Sequence, residues 1–153
     1  MSTLYLEDFT PGQRFMGRTR ICIDEASVKA FPSELDPQPF HLDEGAASAS
    51  LFHDLAASGW HTAVVTMRLL VDSGFRPAGG IVGAGFDELR WPLPVRPGDE
   101  LQVESEVLEV RRSKSRPQQG IIKVRTNTLN QIGEVVQVSI GNLVVPSRSV
   151  RHE

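Results

Sequence analysis

The sequence predicts an α+β fold in which a curled antiparallel sheet wraps one long central helix. Three observations carry that prediction. Residues from Gly59 to Ser73 place apolar side chains at helical spacing on most sides of the segment. After Pro77 the helical period stops, and alternation with period two runs through several consecutive segments. Only one strand-like stretch precedes the helix, so a short early strand must join a sheet built mostly from the second half of the chain. A length of 153 residues, 40% hydrophobic and 23% charged, suits one domain with a substantial core. That domain is expected over residues 1–146, followed by a polar tail, 147–153, that frays.

Taken in order, Thr10-Pro11-Gly12 is a turn signal, with proline presetting one position and glycine accepting positive φ at the next. A strand follows over about Arg14 to Ile23. Asp24 then caps a short helix through Ala26, Val28 and Phe31, which is expected to end near Pro32 because the residue before proline avoids helical geometry. Ser33 to Phe40 reads as loop, stiffened by Pro37 and Pro39. Asp43 opens a second short helix through Ala46, Ala47 and Ala49. Ser58 caps the long helix, in which Trp60, Ala63, Val64, Met67, Leu70 and Val71 follow helical spacing. Val65 and Leu69 extend the apolar surface to a second side, leaving His61, Arg68 and Asp72 as a polar line down one edge. A helix apolar on most sides is expected to be buried.

The strand region begins with Gly80 to Trp91, where Ile81, Gly83 and Gly85 share one face. A proline-rich connector ends in the Pro97-Gly98 turn. Segments 100–112 and 118–130 should form an antiparallel hairpin around a basic tip, Ser113 to Arg116, itself expected to be solvated. In that hairpin Val103 and Val107 face inward and align with Ile122 and Thr126, while Glu104 and Glu106 face outward with Lys123 and Arg125. A turn over Asn130 to Gly133 leads to the last strand, Glu134 to Val145.

Composition narrows the function. No apolar run reaches the roughly 20 residues a membrane helix needs. The opening residues lack the basic flank and apolar run of a secretory signal, and Cys22 is the one cysteine. A reducing cytoplasm is the expected location, with Cys22 a buried, inert thiol. Four histidines without a His/Cys cluster offer no familiar zinc spacing, and a formal charge of −3 does not suit nucleic acid as the main partner. Neither phosphate-binding glycine motif is present.

The chemistry concentrates in Asp36-Pro37-Gln38-Pro39-Phe40-His41, a carboxylate and an imidazole five residues apart on a stiff segment. Such a pair can share one water, the carboxylate taking one proton while an imidazole with a reference pKa of about 6.5 handles the second. Gln38 has an amide able to orient the water or the histidine. The competing reading is an ordinary Asp-Pro turn followed by a loop histidine. A second feature is the first turn of the long helix, Gly59 to Thr62, which holds no acidic residue and so leaves its amides free to face an anion. A glycine there is equally explained by tight packing. His61 and His53 read as structural.

The segment resembles the signature of the MaoC-like family, Asp-x-Asn-Pro-aliphatic-His followed by small residues, to which Asp36, Pro39, His41, Ala46 and Ala47 correspond. Ala57 to Thr62 is similar to the opening of that family's central helix, Asp87 to Trp91 to its following strand, and Pro94 to Asp99 to its Pro-Val-x-x-Gly-Asp turn. The likeness runs from about Tyr5 to Val145. Two positions depart: Leu35 stands where the strict hydratase pattern has glycine, and Gln38 where it has asparagine.

The resemblance implies a hot-dog fold, the fold whose element order also matches the one read above. It further implies an acyl-CoA hydratase/dehydratase in which Asp36 and His41 are the catalytic pair, without assigning acid or base between them. Gly59 would hold the thioester oxygen, with Ser58 and Gln38 as neighbouring orienting groups. Phe40, Gly83 and Gly85 are the candidate acyl contacts. No metal or redox cofactor is expected, since coenzyme A or an acyl-carrier protein arrives within the substrate. A homodimer or higher oligomer is expected, because the sheet would otherwise leave edges uncovered. A hot-dog thioesterase and a non-catalytic acyl-binding subunit are the alternatives.

Overall fold

The computed structural model describes residues 3–148. Six strands form one antiparallel sheet: β1 (Arg14–Met16), β2 (Ile21–Cys22), β3 (Val82–Arg90), β4 (Glu100–Arg112), β5 (Gln119–Leu129) and β6 (Val135–Pro146). Their order is β1-β4-β5-β6-β3, with β2 also pairing to β4. Among the described residues four α-helices occupy the span before β3: α1 (Glu25–Leu35), α2 (Pro39–Leu42), α3 (Glu44–Ser48) and α4 (Gly59–Val71). The sheet curls over α4, and Leu69, Leu101, Val103 and Val136 bury their side chains between them. Full burial of each such side chain contributes about 1.5–3 kcal/mol. A second cluster, including Leu6, Phe9, Phe75, Ile122 and Val145, fills the other end of the sheet.

The expected caps are present. Asp24 accepts the Ser27 N–H, Asp43 the Ala46 N–H, and Ser58 the Trp60 N–H. Several boundaries differ from expectation. The early strand is split, because pairing to β4 runs through Gly17, whose N–H reaches Val103 O, and resumes only at Ile21. Cys22 is exposed rather than buried. α1 does not stop at Pro32 but continues to Leu35: the proline ring is fully buried, and Ser33 Oγ donates to Lys29 O (2.7 Å) in the following turn. Residues 33–35 are therefore helical, and Pro39 starts the single turn α2 where loop was expected. α4 ends at Val71, with Asp72 as its C-cap.

The orientation of α4 is the largest departure. His61, Thr62, Thr66 and Leu69 face inward, whereas Trp60, Val64, Met67 and Val71 stand 42–58% exposed on the opposite side. Val82 and Phe86 of the edge strand β3 are exposed as well. The helix is thus apolar outward, and the inward Thr66 hydroxyl is satisfied by a network. Thr66 Oγ1 donates to Thr62 O, and it lies 2.6 Å from Thr128 Oγ1 and 3.3 Å from the Gln137 Nε2 that donates to it.

The β4–β5 hairpin is adjacent and antiparallel, with Glu104 and Glu106 on the outer face and Arg125 directly opposite Glu106. Its register differs from the expected alignment. Val103 faces Thr128 and Val107 faces Val124, and a bulge at Leu108 then brings Lys123 opposite Glu109. The tip at Lys114 to Arg116 is exposed. The start of the expected frayed tail is anchored instead: Ser147 is buried and bonds Glu7, and Arg148 pairs with Asp8 (2.5 Å). The rest of that tail, 149–153, lies outside the described residues.

Candidate active site

Extension of α1 past Pro32 makes Asp36 its C-cap, and α2 begins three residues later, so His41 returns toward Asp36 within one turn. Nε2 of His41 lies 3.4 Å from Asp36 Oδ2. Nδ1 of the same ring lies 2.9 Å from Ala56 O, and a carbonyl only accepts, so Nδ1 carries the hydrogen. The ring nitrogen facing the carboxylate is consequently the one free to exchange a proton. Both groups are sheltered, with side-chain exposures of 5% for His41 and 16% for Asp36.

Asp36 is held from both sides. Gln38 Nε2 donates to Oδ1 (2.5 Å), and Ser58 Oγ donates to Oδ2 (2.7 Å). Burial pushes the carboxyl upward, but these two hydrogen bonds and the neighbouring His41 outweigh it and hold Asp36 below the usual carboxylate range. The Ser58 hydroxyl also accepts the Trp60 N–H (3.2 Å), tying the N-terminus of α4 to the Asp36 carboxylate.

His41, Phe52, Gly59, Thr62, Trp91 and Leu93 line a cavity of about 170 Å3. Among the described residues no group accepts the Gly59 N–H, which opens α4 beside this cavity. The glycine is also sterically required: a Cβ there would stand 2.7 Å from Trp91 Cε2. Packing and a free amide thus coexist at one position. Phe40 sits edge-on to His41, ring centroids 4.7 Å apart, and supports it from behind. Gly83 and Gly85 are not brought to this cavity. They line a separate apolar one of about 100 Å3 with Met67, Leu70, Ile81 and Phe86, further along α4.

The MaoC like domain family matches residues 8–129. The chain belongs to the MaoC-like family. A MaoC-like dehydratase from Rhodospirillum rubrum superposes with a TM-score of 0.90 at 58% identity, covering 95% of this chain and 98% of that one. The uncharacterized protein YdeM of Bacillus subtilis is 34% identical over 92% of this chain and 96% of its own length. The (R)-hydratase from A. caviae, a protein involved in PHA biosynthesis, superposes with a TM-score of 0.66 at 27% identity, over 92% of this chain and 98% of that one. The curled sheet around α4 is the hot-dog fold.

In this MaoC-like chain the two departures from the strict pattern have visible consequences. Leu35 ends α1 as a helical residue where glycine would loosen it, and its side chain is exposed. Gln38, one methylene longer than asparagine, still reaches Asp36. His61 is buried and stacked on Phe31, centroids 5.0 Å apart, with Nδ1 lacking a partner among the described residues. Sequence reasoning missed two contributors. Trp91 packs on Gly59 and donates from Nε1 to Gln137 (2.9 Å), and Arg96 braces the loop before α4. No sequence spacing marks either contact, because each joins segments about 30 to 45 residues apart. Among the described residues no group of three or more His, Cys, Asp or Glu could hold a metal, and no helix is long and apolar enough to cross a membrane.

Proposed function

We propose that the protein catalyses reversible addition of water to a 2-enoyl thioester, giving the 3-hydroxyacyl thioester. The observation that carries this reading is the 3.4 Å pairing of Asp36 Oδ2 with His41 Nε2 at a sheltered site, with Nδ1–H already committed to Ala56 O. The pair holds one water and removes one of its protons as the oxygen bonds to C3. The C2–C3 π electrons move into the thioester as an enolate, and a proton returned from the pair to C2 completes the addition. The unshared Gly59 N–H donates to the thioester oxygen as enolate charge builds there, an interaction worth about 3–4 kcal/mol in comparable donor deletions. Ser58 and Gln38 keep Asp36 ionised and fixed in place.

The acyl group runs from this cavity along α4 toward the apolar one at Gly83 and Gly85, with Phe40 backing the histidine. Coenzyme A or an acyl-carrier protein belongs to the substrate, and the reaction requires neither metal nor redox cofactor. The cytoplasm, where such thioesters are made and consumed, is the proposed location. The outward apolar stripe of α4 and the exposed β3 edge are covered by a second copy.

The test is to supply short, medium and branched 2-enoyl-CoA thioesters while monitoring the conjugated double bond and free thiol separately. Loss of conjugation without thiol supports hydration, thiol release means a thioesterase, and binding with neither means an acyl-binding subunit. Asp36→Asn and His41→Ala should each lower turnover by at least about 100-fold with the circular dichroism spectrum retained. Turnover within a few fold of the parent in either variant would remove the proposed pair from the mechanism.

A further inference from the structure

Arg96 stands at a variable place in the Pro-Val-x-x-Gly-Asp turn and touches none of the reacting groups. It nevertheless donates three side-chain hydrogen bonds to backbone carbonyls of the loop between α3 and α4. That loop has no ladder of its own, and sheltered backbone carbonyls need donors. Arg96 Nη2 donates to Phe52 O (2.6 Å), while Nη1 donates to Asp54 O (2.8 Å) and Leu55 O (3.2 Å). The next carbonyl, Ala56 O, is the one that takes His41 Nδ1–H. One residue later the Ala57 N–H donates to Val95 O (2.9 Å).

The loop's path needs this support from outside. His53 sits at φ 65°, a left-handed conformation that costs a non-glycine residue free energy and persists only when the surroundings impose it. Arg96 is itself fixed, because its backbone N–H donates to Asp99 Oδ2 (2.8 Å). A planar guanidinium can serve three carbonyls spread over four residues, whereas a lysine ammonium is a single point charge. Phe52, whose carbonyl is the most tightly held, also turns its ring toward His41, with centroids 5.8 Å apart.

We propose that Arg96 is a positioning residue for His41: by holding three carbonyls of the 52–55 segment it places Ala56 O to select the Nδ1–H tautomer and so presents Nε2 to Asp36 and the water. Only the turnover part of the test rests on the hydratase reading. Full-length protein with 15N-labelled histidine is prepared as wild type, Arg96→Lys and Arg96→Met, and the lysine variant keeps charge and stem should the methionine variant fail to fold. The wild type should show His41 as a single Nδ1–H tautomer, and each folded variant a mixture. With 2-butenoyl-CoA, kcat should fall about 10–100-fold, the range seen for outer residues that orient a metal-ligating histidine, with KM changed less than about threefold. A folded variant that keeps the single tautomer and a kcat within about twofold of wild type overturns the proposal and leaves Arg96 a structural brace. Should the wild type hydrate no enoyl thioester, the hydratase reading fails, and the tautomer measurement still decides the role of Arg96.

Discussion

At Gly59 one missing side chain satisfies two demands. The Trp91 ring occupies the space a Cβ would need, and Gly59 also presents the amide proposed to hold the thioester oxygen. A double-mutant cycle separates them. Gly59→Ala alone should displace the Trp91 indole, alter its fluorescence and destabilise the protein by about 1–3 kcal/mol, the usual cost of overpacking. In a Trp91→Ala background the added methyl finds room, so the stability cost measured by urea denaturation should largely vanish. Equal costs in both backgrounds would mean that the indole is not what excludes a side chain there. The closeness of Asp36 and His41 was legible in the sequence because the two lie five residues apart on a stiff segment, whereas the part proposed for Gly59 came from the family resemblance. The Ser58 bond to Asp36 spans 22 residues, and the bonds of Arg96 to its loop span 41 to 44. Such contacts leave no local pattern, so Ser58 entered the sequence reading as a site residue only through the family resemblance, and the part played by Arg96 emerged only with the fold.

Among the elements, α4 was found by its period, its cap and its start, but its orientation was misread. Helical spacing of Trp60, Val64, Met67 and Val71 marks an apolar stripe without saying whether the stripe meets its own sheet or another surface. Pro32 misled in a different way: local geometry argued for a helix end, and burial of the ring overrode it. The hairpin alternation holds from Leu101 to Val107, and the bulge at Leu108 then shifts the inward positions of β4 from odd to even numbers, so that Val110 packs on the core. The contact between α1 and α4 also makes a testable statement about acid. Burial lowers the pKa of His61 below its ordinary value, and Asp24 opposes that only in part. Above about pH 6.5 the ring is neutral in both folded and unfolded chains. As pH falls below that value the unfolded chain takes up the proton first, so stability declines until the folded form is also protonated. Urea midpoints at pH 7.5 and 5.5 should therefore differ more in the parent than in His61→Phe, which keeps the stack on Phe31. The same difference in both would absolve this histidine.

For the whole molecule, the exposed stripe on α4 and the open β3 edge are the surfaces that the proposed pairing covers. Val64→Asp should turn a dimer into a monomer in sedimentation at micromolar concentration, and a parent that already sediments as a monomer would refute the proposed pairing. The layout also separates the candidate site from the strongest scaffold. β4, β5 and β6 are long strands laddered along nearly their full length, whereas Asp36, His41 and Ser58 sit on caps and short turns joined by the braced loop. Local opening draws on the least laddered parts of a structure. Amides of residues 36–57 should accordingly exchange with deuterium faster than those of the central strands, and activity should vanish at lower urea than the far-UV signal of the sheet. Coincident loss of both would mean one cooperative unit. The hot-dog sheet is then a durable frame and the candidate site its perishable part, so on the proposed function denaturant would silence the protein before unfolding it.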